Sequence, residues 1–128
     1  MSDSLTILCA EDNPQNLLLL QKLLTDAGYR VLGAPDGPTA VGLADKERPA
    51  LILVDIHLPG FDGFEAVRRI RELPGLAKVP IVALTADVIR GDRSRGLEAG
   101  FDDWIGKPFR IDSLLARIRE LIEASRST

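Results

Sequence analysis

Residues Leu51–Gly60 read LILVDIHLPG and constrain the fold more than any other stretch. Leu51–Val54 is an unbroken apolar run with Ile52 and Val54 β-branched, the pattern of a short strand buried on both faces. It delivers an aspartate, Asp55, at its carboxyl end, and Pro59-Gly60 then turns the chain. A carboxylate at the tip of a central parallel strand is costly unless something there uses it. Asp55 therefore reads as a nucleophile, and the other polar features are read for whether they serve it.

The flanking segments repeat one theme. Leu5–Ala10, Tyr29–Ala34, Val79–Leu84 and Asp102–Gly106 read as four more strands. Between them lie amphipathic or capped segments. Asn13 caps a helix that has Pro14 in its first turn and runs to Ala27 before Gly28. Its stripe is Leu17, Leu20, Leu24 and Ala27, with Leu18 among polar residues on the opposite face. Asp36-Gly37-Pro38 opens a second helix, Thr39 to about Lys46. The third is Phe64–Leu73, with Arg68, Arg69 and Arg71 as its solvated face. The fourth, Asp87–Ala99, is weakened by Gly91 and Gly96, each costing about 1 kcal/mol against alanine. The last, Ile111–Ala124, places Ile111, Leu114, Leu115, Ile118, Leu121 and Ile122 on one side. Five strands alternating with five helices predict an α/β fold with a parallel sheet covered on both faces.

Composition excludes some functions. At 128 residues the chain suits one domain, residues 1–128 with a core from about 5 to 124. Its 16 basic and 19 acidic residues give a net charge of −3, unlike a nucleic-acid surface. No apolar run approaches the roughly 20 residues that cross a bilayer, and no leader precedes the first strand, so a cytoplasmic location is expected. The single cysteine, Cys9, lies in an apolar strand and reads as core.

Ligands of open doubly wound sheets bind beyond the carboxyl ends of the strands. Four of the five strands place a reactive type there: Glu11 and Asp12, Asp55, Thr85, and Lys107. Taken singly, an acidic cap, a strand threonine and a turn lysine are ordinary. Together they suit one chemistry. Carboxylates that meet repel one another, and a hard divalent ion relieves this; Mg2+ prefers a few carboxylates with waters and phosphate oxygens. Lysine and threonine suit a phosphoryl oxyanion, and an aspartate can form an acyl phosphate. There is no GxxxxGK[ST] or GxGxxG cradle, so a nucleotide bound by this chain is not the expected donor.

Glu11-Asp12-Asn13, Asp55 with Leu58-Pro59-Gly60 and Asp62-Gly63, Leu84-Thr85-Ala86, and Lys107-Pro108-Phe109 together resemble the CheY-like receiver domain of response regulators. The resemblance spans essentially the whole chain. It implies a flavodoxin-like (βα)5 fold with strand order 2-1-3-4-5. It implies that Asp55 accepts a phosphoryl group from a phosphohistidine on a sensor kinase or phosphotransfer protein, switching contacts with a downstream protein. It implies Mg2+, with Mn2+ as a substitute, held by Glu11, Asp12, Asp55 and the backbone carbonyl of His57. Thr85 and Lys107 become the switch hydroxyl and the phosphate-contacting lysine, Trp104 the switch aromatic, and the Lys107–Pro108 bond cis. His57 and Asp87, two residues beyond Asp55 and Thr85, become modulators of phosphate lifetime. Asn16 and Gly91-Asp92-Arg93 resemble stand-alone DivK-type receivers and those of hybrid kinases. A monomer or weak homodimer is expected. Such a domain catalyses its own phosphorylation and dephosphorylation without being a turnover enzyme in the usual sense. Rival readings are a receiver fold acting without phosphorylation, a receiver excised from a hybrid kinase, and a Mg2+-dependent phosphatase of small esters.

Overall fold

The computed structural model describes residues 5–85, 100–106 and 109–126. Its strands are β1 (Thr6–Ala10), β2 (Arg30–Ala34), β3 (Leu51–Asp55), β4 (Ile81–Thr85) and β5 (Asp103–Gly106). All pair in parallel in the order β2-β1-β3-β4-β5. The doubly wound sheet is as expected from the alternation of elements, and its strand order is the one the receiver resemblance implies. Four helices lie among the described residues: α1 (Pro14–Asp26), α2 (Gly37–Glu47), α3 (Gly63–Arg71) and α4 (Ile111–Arg126). The segment Asp87–Ala99, expected as a further helix, lies outside the described residues.

The central position of β3 follows from its side chains. All five of its residues are buried, and it is flanked by β1 and β4. Alternate residues point to opposite layers. Ile52 and Val54 join a core with Ala40 and Ala44 of α2 and Phe64, Val67 and Ile70 of α3. Leu51 and Leu53 join a second core with Leu20 and Leu24 of α1 and Leu114, Ile118 and Ile122 of α4. Cys9 lies in this second core, and burial, then the nearby charge of Glu11, push its thiol up to about 12. At that value it is inert at neutral pH.

Local capping moves the helix boundaries. Asn13 Oδ1 accepts from the backbone amides of Gln15 (2.9 Å) and Asn16 (3.1 Å), starting α1 at Pro14 as expected. The Asp36 carboxylate accepts from Thr39 N at 2.7 Å, so α2 begins at Gly37 rather than Thr39. Hydrogen bonds from Thr39, its hydroxyl foremost and then its backbone amide, hold the Asp36 carboxyl below its ordinary pKa. Asp62 accepts from Glu65 N at 3.0 Å, so α3 likewise begins at its glycine. Ala27, the C-cap of α1, and Ile111, the first residue of α4, are exposed rather than part of their helix stripes.

A larger expectation is overturned. Arg68 and Arg69 do face solvent, where both pair with Glu65 and hold its carboxyl below the usual range, Arg69 foremost. Arg71 does not. Its side chain is 16% exposed. The guanidinium donates to the carbonyls of Leu76, Ala77, Val79 and Gly100 and to Asp102 Oδ2 at 2.7 Å. Asp102 Oδ2 also accepts from Ile81 N, so Arg71 staples the end of α3 to the entries of both β4 and β5.

Candidate functional site at the carboxyl edge of the sheet

Parallel register brings the acidic residues together. Ala10 pairs with Val54, so Glu11 and Asp12 leave β1 beside the point where Asp55 ends β3. One carboxylate oxygen from each of Glu11, Asp12 and Asp55 lies within 4.8 Å of the other two. Glu11 is 1% exposed and Asp55 6%, while Asp12 opens to solvent.

The backbone around these groups is polar and fixed. Glu11 N donates to Ala34 O at 2.9 Å, tying the end of β1 to β2. Glu11 Oε2 accepts from Asn13 N at 3.2 Å, so the residue that caps α1 also steadies the buried glutamate. Asp55 Oδ1 accepts from His57 N at 2.8 Å, which fixes the plane of that carboxylate. Ile56 N donates to Leu84 O, and Gly63 N to Ile56 O at 2.8 Å. His57 itself is exposed. Its imidazole is not buried in the site.

Three carboxylates at this separation, two of them out of water, form a site of concentrated negative charge. At an effective dielectric near 20, two full charges about 5 Å apart repel by about 3 kcal/mol. Oxygen donors of this kind, with an open side at Asp12, match what a hard divalent cation requires. The donor set holds no thiolate or imidazole within the cluster, which disfavours softer metals. The residues therefore fit Mg2+.

The other expected site residues are placed as follows. Asp55 pairs with Leu84 across β3 and β4, and Thr85 is the next backbone position on β4. Thr85 pairs in turn with Gly106, the end of β5 and the residue before Lys107. Lys107 and Asp87 lie outside the described residues, as does the Lys107–Pro108 bond. Trp104 pairs with Ala83 and is half-buried. Its ring lies 6.4 Å from Phe64 and 6.0 Å from Phe101, and Phe64 and Phe101 meet edge to face at 6.1 Å. Among the described residues, its buried indole Nε1–H has no hydrogen-bond partner. Sequence reasoning found the aromatic but not its two phenylalanine neighbours. Their side chains come from the start of α3 and the entry to β5, and no spacing rule joins them to Trp104.

The fold and the acidic site have close relatives. The family model described as response regulator receiver domain matches residues 7–119. The response regulator PleD of Caulobacter vibrioides is 42% identical over 118 residues, which is 92% of this chain and 26% of PleD. The sensor protein GacS of Pseudomonas syringae is 40% identical over 105 residues, 80% of this chain and 12% of GacS. The chain thus spans about a quarter of the first of these relatives and about an eighth of the second. Among solved structures, the receiver domain of sensor histidine kinase PA1611 of Pseudomonas aeruginosa superposes with a TM-score of 0.89 at 40% identity, covering 94% of this chain and 99% of that one. That structure has a magnesium ion coordinated in its active site cleft. A CheY-like receiver from Methanospirillum hungatei gives a TM-score of 0.92 at 25% identity, covering 98% of each chain. With its sheet order, its acidic triad at the carboxyl edge and a family match over most of its length, this chain belongs to the response regulator receiver domain family.

Proposed function

We propose that this chain is a phosphoryl-accepting switch of two-component signalling, in which Asp55 takes the phosphoryl group of a phosphohistidine. The observation that carries the reading is the convergence of Glu11, Asp12 and Asp55. In the transfer, the phosphorus–nitrogen bond of the donor breaks and a bond forms from an Asp55 carboxylate oxygen to phosphorus, while the imidazole regains a proton. Hydrolysis of the acyl phosphate returns Asp55 and inorganic phosphate. In-line transfer asks mainly for positioning and charge neutralisation. Glu11, Asp12, Asp55 and the His57 carbonyl would hold Mg2+, with Mn2+ as a substitute, and the bound ion supplies that neutralisation. His57 N–H keeps the nucleophilic carboxylate oriented. Thr85 and Lys107 are assigned the phosphate contacts, Trp104 the coupled aromatic, and His57 and Asp87 influence over phosphate lifetime.

The experiment is direct. Acetyl phosphate with Mg2+ should add one phosphoryl group to the intact protein by mass spectrometry, and a chelator should abolish it. Addition that survives the chelator would overturn the metal assignment.

The proposed donor is a histidine kinase or a histidine phosphotransfer protein. It would dock beside the site on α1, where Leu18 is 67% and Leu19 48% exposed. Leu18→Glu should slow transfer from a phosphorylated phosphotransfer protein about tenfold, a loss of roughly 1.4 kcal/mol. Its rate with acetyl phosphate should stay unchanged. Equal slowing with both donors would place the defect in the site instead. The output is proposed to be a protein contact, made by a cytoplasmic monomer or weak homodimer without nucleic acid or membrane. Among the described residues no helix is long and apolar enough to cross a membrane. A second reading, a receiver carried within a longer signalling protein, is favoured by the small fractions of PleD and GacS that the chain spans.

A further inference from the structure

We infer that Gly37, at the start of α2, is a positioning residue for the metal site, acting with Gly63 to clasp the loop that follows Asp55. The inference rests on the reading of Asp55 and the His57 carbonyl as metal-binding groups. It concerns how the loop bearing them is held.

The two helix starts grip the loop in the same way. Gly63 N donates to Ile56 O at 2.8 Å, and Gly37 N donates to Pro59 O at 3.2 Å. Each contact is so close that only hydrogen fits on the glycine Cα. A Cβ on Gly63 would lie 2.6 Å from Asp55 O and 2.9 Å from Ile56 Cα. One on Gly37 would lie 2.5 Å from Phe61 O and 2.7 Å from the edge of the Phe61 ring. Both obstacles include backbone, which cannot swing aside as a side chain can.

A third contact closes the arrangement. Gly60, at φ +86°, leaves room for Pro38 of α2, whose Cδ would sit 2.8 Å from any Cβ there. The outer side of the Phe61 ring is covered by the Arg69 guanidinium, 4.3 Å from the ring centroid. Arg69 is itself held by Glu65 at 2.9 Å. Residues 56–62 are thus wedged between the amino ends of α2 and α3. His57 belongs to this segment, and its backbone N–H grips Asp55 Oδ1. Moving Phe61 to admit a methyl group on Gly37 therefore shifts the same short loop that presents the His57 carbonyl. Supports of this outer kind typically carry a 10–100-fold effect on metal affinity.

The test compares Gly37→Ala with Gly42→Ala in the full chain. Gly42 lies on the same helix, and a Cβ there meets nothing within 4 Å. Calorimetric Mg2+ titration should show a Kd raised about tenfold in Gly37→Ala and unchanged in Gly42→Ala. In the metal-free protein, hydrogen exchange at the His57 amide should speed up in Gly37→Ala alone. If Gly37→Ala does not fold, Pro38→Ala replaces it, since it removes the ring beside Gly60 and adds no heavy atom. It should shift both readouts in the same direction by a smaller factor. Unchanged Mg2+ affinity and unchanged His57 exchange in a folded variant, whatever its melting temperature, would overturn the clasp. Wild-type protein that binds no Mg2+ would overturn the metal reading instead, and His57 exchange would still decide the clasp.

Discussion

Asp55→Asn should accept no phosphoryl group from acetyl phosphate and Mg2+, and the metal-free variant should melt above the wild type. Both results come from one atom change. The amide has no anionic oxygen to attack phosphorus, so the acyl phosphate cannot form. It also removes one of three negative charges that lie within 4.8 Å of one another. Relief of like-charge repulsion at this spacing is worth up to about 3 kcal/mol for each of the two pairs Asp55 makes, at an effective dielectric near 20. The amide oxygen can still accept from His57 N, so local geometry survives. Mass spectrometry and thermal melting decide the two halves separately. A phosphoryl adduct that persists in Asp55→Asn would move the acceptor elsewhere. A variant that melts below the wild type would mean that the carboxylates were already compensated.

The largest expected loss of stability lies far from the chemistry. Arg71→Ala removes a guanidinium that donates to four carbonyls and to Asp102. Bonds from a charged donor are worth about 1.5–3 kcal/mol each when intact, and the orphaned carbonyls add a desolvation cost. Water reaching some of these groups tempers the sum. The expected loss is about 3 kcal/mol, which lowers the melting temperature by roughly 10 °C in a domain of this size. Arg71→Lys should recover little, because one ammonium cannot span a fork of several acceptors. Arg68→Ala is the comparison: its exposed pair with Glu65 should contribute less than about 0.5 kcal/mol. Equal melting of the two alanine variants would show that the staple carries no stability.

These two cases mark what the sequence could disclose. Asp55, Glu11 and Asp12 were legible because each ends a buried strand, where a carboxylate departs from the local apolar pattern. The parallel sheet was legible from the alternation of short apolar runs and capped helices. Arg71 was misread because it sits among other arginines at the end of a polar helix. Its partners Gly100 and Asp102 are close only after β4 and β5 have paired. The starts of α2 and α3 were placed late for a related reason. Glycine lowers helix propensity, but the Asp36 and Asp62 caps outweigh it. The role of Gly37 was invisible altogether, since nothing local says that Phe61 will lie against it.

The sheet has one more consequence, for traffic rather than chemistry. It separates the two cores, with α1 and α4 on one side and α2 and α3 with Trp104 on the other. Its carboxyl rim, where Asp55 sits, borders both compartments. A donor docked on the α1 side, as proposed, would not compete for space with a protein bound on the Trp104 side. Under the proposed function, the domain would be written on one face and read on the other, with the rim as the place where the two conversations meet.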